Sequence, residues 1–255
     1  MKTKSPPLQT TWTRPASHYV PKVLVGCPTY REKAYSLERY AERVKALDYP
    51  NYDILLVDTS DDGGAYRKKV EKLGLPCVTG PKQKQSDVRV AAARNVLRKH
   101  AVLGGYDYYF SLEQDVIPPT TALKTLVSHK KDVVGGWYYT TVPVSAAGGG
   151  AVTRYLKEPC LVVKEPKSAS HADVWSQKQQ IERHLCDHRL LKVDIGSFGI
   201  CLVSRRTLEE VPFHHDPNHQ NYDDVIFYRL LRMRKIPAYV DTDLLVAHFQ
   251  TYEHA

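Results

Sequence analysis

From Lys22 onward, short runs rich in β-branched residues and leucine alternate with segments in which apolar residues return every three or four positions. That alternation predicts strands joined by crossover helices, and hence a largely parallel sheet. "KVLVG" predicts the first strand. A helix follows from about Ser36, a candidate N-cap, with Leu37, Tyr40, Ala41, Val44 and Leu47 on one face. "YDILLVD" predicts the second strand, with Asp58 at its carboxyl end; the turn "TSDDGG", a short amphipathic helix and the strand "LPCVTG" come next. Residues 86–100 predict a helix carrying "AAARNVL", and "YDYYFSL" a fourth strand. Further on, "TALKTLVSH" reads as helix and "DVVGGWYY" as strand, while residues 143–172 are the least regular stretch and predict a loop or a small hairpin. The closing segment reads as a strand "LKVDIGSFGICLV", helices "SRRTLEEV" and "YDDVIFYRLLRMR", and short strands "PAYVD" and "LLVAHF". The expected architecture is a flexible N-terminal arm over residues 1–20 and one α/β domain over 21–255, a Rossmann-like, mostly parallel central sheet flanked by helices.

Composition narrows this picture. With 255 residues and 42% hydrophobic content, the chain can bury a core of ordinary size, which excludes disorder on a large scale. Lys and Arg number 36 against 28 Asp and Glu, a formal charge of +8, so the surface attracts anions such as nucleotides, nucleic acid, phosphoglycans or acidic lipid headgroups. Cys27, Cys77, Cys160, Cys186 and Cys201 are odd in number and lack paired spacing, which argues against a disulfide framework or a zinc knuckle and for a reducing cytoplasm. The longest apolar runs fall far short of the roughly 20 residues a membrane helix needs. The first residues contain no apolar segment of the secretory kind. Peripheral contact with a membrane through the basic surface stays open.

The chemistry gathers where strands end. In a parallel α/β sheet, ligands bind beyond the carboxyl ends of the strands, and Thr29, Asp58, Glu113 and Asp115 all fall at such ends. In extended backbone, residues i and i+2 point the same way, so Glu113 and Asp115 are expected on one side and Gln114 on the other. Two hard oxygen donors aimed at one place suit Mg2+ or Mn2+, which keep open positions for phosphate oxygens; a solvated turn before the "PP" is the alternative. Asp223 and Asp224 open a helix, where the dipole favours acids, as base, as cap or as both. His248 closes an apolar strand, as a ligand or as a structural histidine. His214, His215 and His219 lie in one loop without cysteine partners at ligand spacing, which predicts a solvated or acceptor-contacting loop rather than a zinc site.

A strand, an acid-x-acid triplet, a proline-containing turn and a helix, preceded by a helix bearing "AAARN", resemble the GT-A glycosyltransferases, particularly the family-2-like enzymes. "VDIGSFGICLVSRRTLEEVPF" followed by "YDDVIFYRLLRMRKIPAYVDTDLLVAHF" is similar to that family's small-residue turn, strand, Arg-led helix, acid-Asp pair, aromatic-rich helix and terminal histidine. Together the two matches span residues 22–249. The resemblance implies a single GT-A domain with a nucleotide-sugar-binding half over about 21–118 and an acceptor and catalytic half over about 119–255. It implies a nucleotide-diphospho-sugar donor, Mn2+ or Mg2+ as cofactor, and an acceptor hydroxyl on a glycan, lipid, protein or nucleic acid. Glu113 stands for the first aspartate of the family's metal motif, which makes Asp115 the principal metal ligand, Glu113 the second and His248 a further one. Asp224 corresponds to the residue that deprotonates the acceptor in inverting enzymes, and Asp223 replaces a glutamate beside it. The opening "GCPTYRE" is similar to the family's Pro-Thr-x-x-Glu, which implies donor contacts from Pro28, Thr29, Tyr30 and Arg31. Asp58 stands at the base-reading position; UDP is the working expectation for the nucleotide, although Thr59 in place of a second aspartate leaves base identity open. Glu113 and Gln114 flank the donor as well. Arg94 reaches the diphosphate or pairs with a strand-end carboxylate.

Two rivals share some of these features. A sugar nucleotidyltransferase also uses a nucleotide-binding half and a metal, but it opens on a glycine-rich loop that "VGCPTYREK" lacks. A basic nucleic-acid-binding protein would use the +8 charge and the 17 tyrosines, yet the basic residues are dispersed and the tyrosines fall largely inside predicted strands and helices.

Overall fold

A computed structural model describes residues 19–145, 152–163, 190–215 and 223–249. The N-terminal arm up to residue 18, Cys186, His219 and most of the irregular stretch after residue 163 lie outside the described residues. The chain enters through β1 (Val23–Thr29), a 3-10 turn (Arg31–Ser36), α1 (Leu37–Lys45), β2 (Tyr52–Asp58), α2 (Ala65–Lys72) and β3 (Cys77–Thr79). It continues through α3 (Ser86–Leu103), β4 (Tyr108–Leu112), β5 (Val116–Ile117), α4 (Ala122–Ser128) and β6 (Val133–Trp137). A hairpin of β7 (Tyr139–Ser145) and β8 (Val152–Pro159) follows, then β9 (Leu190–Val193), β10 (Ile200–Ser204), α5 (Arg205–Glu210), α6 (Asp223–Met233), β11 (Ala238–Leu245) and β12 (Ala247–His248).

The central sheet has eight strands in the order β3-β2-β1-β4-β10-β6-β11-β9. All of them run in one direction except β9 and β10. The expected α/β class with a mostly parallel sheet is therefore the observed one. The central strand β1 is apolar on both faces because helices cover both, while the edge strand β3 is exposed at Val78 and Thr79. In β1, Leu24 faces the core under α3, α5 and α6, while Val23, Val25 and Cys27 face the core under α1, α2 and α4. The amino end of α5 is held by Ser204, whose Oγ accepts the Thr207 N–H.

Three local expectations differ from the structure. Ser36 occupies the N-cap position of α1 without capping it: its hydroxyl donates to the Lys33 carbonyl, because the preceding residues are already wound into the 3-10 turn. "PAYVD" and the "LL" after it form the one strand β11, with a register shift between Val240 and Leu245 against β6. "LKVDIGSFGICLV" does not form one strand. Its ends belong to different places in the sheet, β9 at the edge and β10 between β4 and β6, so residues 194–199 must carry the chain across. They do so pressed beneath two aromatic side chains, which is where the glycines are needed. A Cβ on Gly196 would fall 2.5 Å from the Tyr228 hydroxyl, and one on Gly199 would fall 2.6 Å from Cε1 of Tyr138. The irregular stretch does contain a small hairpin, since Tyr139 to Ser145 pair antiparallel with the strand ending at Pro159.

The consequence is testable by thermal unfolding. Gly199→Ala is expected to lower stability by about 1–3 kcal/mol, the usual cost of overpacking a closed site, because the buried Tyr138 ring must move. A melting temperature equal to that of the wild type would show that the ring has room.

Candidate active site

The carboxyl ends of β1, β2, β4, β6 and β11 and the amino end of the antiparallel β10 share one rim of the sheet. The acid-x-acid triplet lies on this rim but is not extended. The Val116 N–H donates to the Glu113 carbonyl at 3.0 Å, so residues 113–115 make a turn between β4 and β5. This corrects the expectation that Glu113 and Asp115 share one side. In a tight turn successive side chains splay, and here the three go to three separate places.

Asp115 points into the core of the rim, its side chain 2% exposed. Two short strands hold it there: β5 pairs with β12, which places His248 across from Val116, and the Phe249 N–H donates to the Asp115 carbonyl at 2.8 Å. His248 Nε2 lies 3.5 Å from Asp115 Oδ2. The same oxygen receives the Lys33 ammonium in an ion pair and lies 3.3 Å from the Tyr35 hydroxyl. Burial alone pushes the Asp115 carboxyl up, but His248 and Lys33 outweigh it and hold the group below the usual carboxylate range, so it stays ionised. The Tyr35 hydroxyl is pushed up to about 12 by burial and by Asp115.

Glu113 turns the other way, onto Arg94. This arginine of α3 is buried and donates through Nη1 to both oxygens of Asp223, at 2.5 and 2.6 Å, and through Nη2 to Glu113. Its guanidinium also lies 5.0 Å from the centre of the Phe198 ring. Of the two roles open to Arg94 in the sequence, the described residues display the carboxylate pairing. Asp223 is thereby fixed at the start of α6. Asp224 is half-buried, and its hydrogen-bond partner among the described residues is the neighbouring Val225 N–H, at 2.7 Å. Burial and the adjacent Asp223 charge raise its carboxyl to about 6, against a weaker pull from Arg94.

Tyr138 joins the two groups of acids. Its ring packs on His248 with centroids 4.5 Å apart, and its hydroxyl lies 2.5 Å from Ser197 Oγ. The Glu113 and Asp224 charges both help raise its hydroxyl, after the larger effect of burial. Glu113 and Asp224 thus both act on the Tyr138 hydroxyl, and the ring of the same residue packs on the His248 that faces Asp115.

The end of β1 forms the other wall. The Thr29 hydroxyl donates to Gln114 Oε1, which also accepts from the Tyr66 hydroxyl at 2.8 Å, while Gln114 Nε2 donates to the Lys33 carbonyl at 2.5 Å. Asp58 is buried beside it and accepts the Ser60 N–H at 2.8 Å; Ser60 Oγ in turn accepts the Arg31 N–H at 2.9 Å. Pro28 sits within the same strand, paired with Val57. Tyr30 follows it with the Arg89 guanidinium 4.1 Å from its ring centre and that of Arg31 at 5.9 Å. His215 instead pairs with Asp87 at 3.0 Å.

A divalent cation fits the Asp115 corner on chemical grounds. Asp115 Oδ1 and His248 Nδ1 are buried and have no hydrogen-bond partner among the described residues, so each of these two neighbouring side chains keeps one unsatisfied atom, a hard oxygen and an imidazole nitrogen. Among the described residues no group of three or more His, Cys, Asp or Glu converges on a point, so a cation there would complete its shell from donor oxygens and water, as Mg2+ and Mn2+ do. Several contributors carried no motif in the sequence. Lys33, Tyr35, Tyr66 and Tyr138 take no role there.

No protein-family model matches the chain, and no curated protein sequence matches it. Among solved structures, the mannosyltransferase PcManGT from Pyrobaculum calidifontis in complex with GDP-Man and Mn2+ superposes with a TM-score of 0.55 at 20% identity, over 90% of this chain and 57% of that one. A197 from STIV aligns at 15% identity over 90% of this chain and 86% of that one, but its TM-score of 0.44 is too low to argue from. The likeness to the mannosyltransferase is one of fold: this chain has an α/β domain of the same fold and spans a little over half the length of that protein.

Arg94 is the electrostatic keystone of the site, and its removal is expected to be costly. Arg94→Met leaves Asp223 buried without a counter-charge, which should cost about 3–5 kcal/mol in urea unfolding. The double variant Arg94→Met, Asp223→Leu should recover most of that loss; if it recovers none, the pair is not what holds α6.

Proposed function

We propose that the protein is a metal-dependent glycosyltransferase that moves a sugar from a nucleotide-diphospho-sugar to an acceptor hydroxyl with inversion. The observation that carries this reading is the opposite tuning of two carboxylates on one rim: Asp115 is held ionised with a free buried oxygen, and Asp224 is raised to about 6. Two acids pushed apart by their surroundings are suited to two different tasks. The fold likeness to a protein solved with GDP-Man and Mn2+ supports the same reading.

Asp115 and His248 would hold the cation, which supplies positive charge to a departing diphosphate. Thr29, Tyr30, Arg31 and Asp58 would receive the nucleoside, with Pro28 shaping the strand end that presents them. Gln114, fixed by Thr29 and Tyr66, keeps the floor of that pocket rigid. Glu113 and Arg94 set the charge beneath the sugar, and Arg94 holds Asp223 so that the neighbouring Asp224 is the acid left to accept a proton. A carboxylate near 6 is ionised at neutral pH yet basic enough to take the acceptor proton as the hydroxyl attacks. Attack from that side, opposite the leaving diphosphate, inverts the anomeric centre. The acceptor is a hydroxyl compound of a class that these residues do not specify.

Purified protein incubated with Mn2+, a panel of UDP- and GDP-sugars and hydroxyl acceptors is expected to release nucleoside diphosphate, and Asp115→Asn to abolish the release. Turnover by Asp115→Asn at the wild-type rate would reject the reading, as would pyrophosphate release from a sugar phosphate and a nucleoside triphosphate. Asp224→Asn is expected to lower kcat by about 10²–10⁴-fold with donor affinity kept. The wild-type kcat should rise with pH through about 6, as Asp224 loses its proton, and this limb should vanish in Asp224→Asn. Stability should move the other way. A carboxyl raised in the folded state stabilises it when protonated, so this contribution is full below the unfolded pKa of about 3.9 and is lost as pH rises through about 6. Wild type should therefore lose ground to Asp224→Asn across that window in pH-dependent denaturation.

A further inference from the structure

Lys33 belongs to none of the motifs that define the site, yet it makes the ion pair that neutralises Asp115. The 3-10 turn Arg31–Ser36 folds back over the end of β1 and delivers its ammonium there. The pair is closed at one end and open at the other: the Asp115 side chain is 2% exposed and that of Lys33 is 42% exposed. The backbone at Lys33 is anchored, because its carbonyl accepts from Gln114 Nε2 at 2.5 Å and from Ser36 Oγ at 3.0 Å. What can move is the four-carbon stem with its point charge. Its partner oxygen, Oδ2, belongs to the same carboxylate whose Oδ1 is buried and unsatisfied. A divalent cation on that carboxylate would stand within a few ångströms of the ammonium, where the buried surroundings strengthen their repulsion.

We infer that Lys33 is the resident counter-ion of Asp115 in the metal-free protein, that it gives up this carboxylate when a divalent cation binds, and that its ammonium then turns to the donor diphosphate. The inference rests on the reading of Asp115 as the metal-binding carboxylate. It makes one side chain couple two binding events: the cation competes with Lys33 for Asp115, and the displaced ammonium adds positive charge where the diphosphate arrives. A fixed structural bridge would instead favour both events or neither.

The two effects of removing the ammonium have opposite signs, which gives a clean test. Mn2+ binding is measured by the electron paramagnetic resonance signal of the free ion, and UDP and GDP binding at saturating Mn2+ by calorimetry. The proteins are wild type, Lys33→Met, Lys33→Gln, a neutral polar side chain suited to this partly exposed position, and Lys33→Arg. Without the competitor, Mn2+ should bind about tenfold tighter to the Met and Gln variants, the expected gain when an occupied site is freed. Their nucleoside diphosphate affinity should fall several-fold, their metal-free melting temperature should drop, and Lys33→Arg should resemble wild type in Mn2+ affinity. Mn2+ binding that is unchanged or weaker in the Met and Gln variants, while wild type binds the ion, would overturn the inference and leave the metal-dependent reading intact. Mn2+ binding to none of the proteins would sink both.

Discussion

The arrangement depends on one buried guanidinium. Arg94 lies 3% exposed between Glu113 at the end of β4 and Asp223 at the start of α6, and it pairs with both. A charge so enclosed is tolerated only while its partners stay in place, since breaking one side leaves the other uncompensated at a cost of several kcal/mol. α3, the β4 end and α6, which already share one apolar core, are thereby also tied at the rim by a single charged side chain. Burial works against the charged form of Arg94, but Asp223 and Glu113 outweigh it and hold the group more firmly protonated than a free arginine.

That constraint sorts the acids on the rim. Glu113 and Asp223 share Arg94, and Asp115 has Lys33. Asp224, next along the helix from an acid already committed, is raised by burial first and by its neighbour's charge second. On the proposed reading this selects the base by exclusion, because the Arg94 charge is bound to the neighbouring Asp223. On the other side of Tyr138, the Asp115 corner carries two buried atoms without a hydrogen-bond partner among the described residues and the partly exposed Lys33. In the proposed function the two corners divide the work: negative charge develops at one and a proton is accepted at the other.

Much of this was legible in the sequence because it followed local periodicity. The β1 and β2 runs and the apolar face of α1 lie where spacing puts them, and Glu113 and Asp115 do stand at a strand end, though not on one side of it. What was not legible arises from pairings between distant segments. The triplet at 113–115 turns rather than extends because β5 must leave β4 to meet β12, a partner more than 100 residues away that sequence spacing does not announce. Residues 194–199 cross the sheet because β9 and β10 are not neighbours, and only the glycines at 196 and 199 hinted at a close approach. Lys33 has no spacing that singles it out, and only the 3-10 turn brings it onto Asp115. Arg94 posed a choice that only the position of α6 resolves.

The most direct test is diffraction at the manganese absorption edge, on crystals grown with Mn2+ and a nucleoside diphosphate. The account predicts an anomalous peak within bonding distance of Asp115 Oδ1 and His248, with diphosphate oxygens completing its shell and Asp224 facing it across the sugar site. Bound nucleotide with no peak at Asp115, or a peak seated elsewhere on the protein, would contradict it.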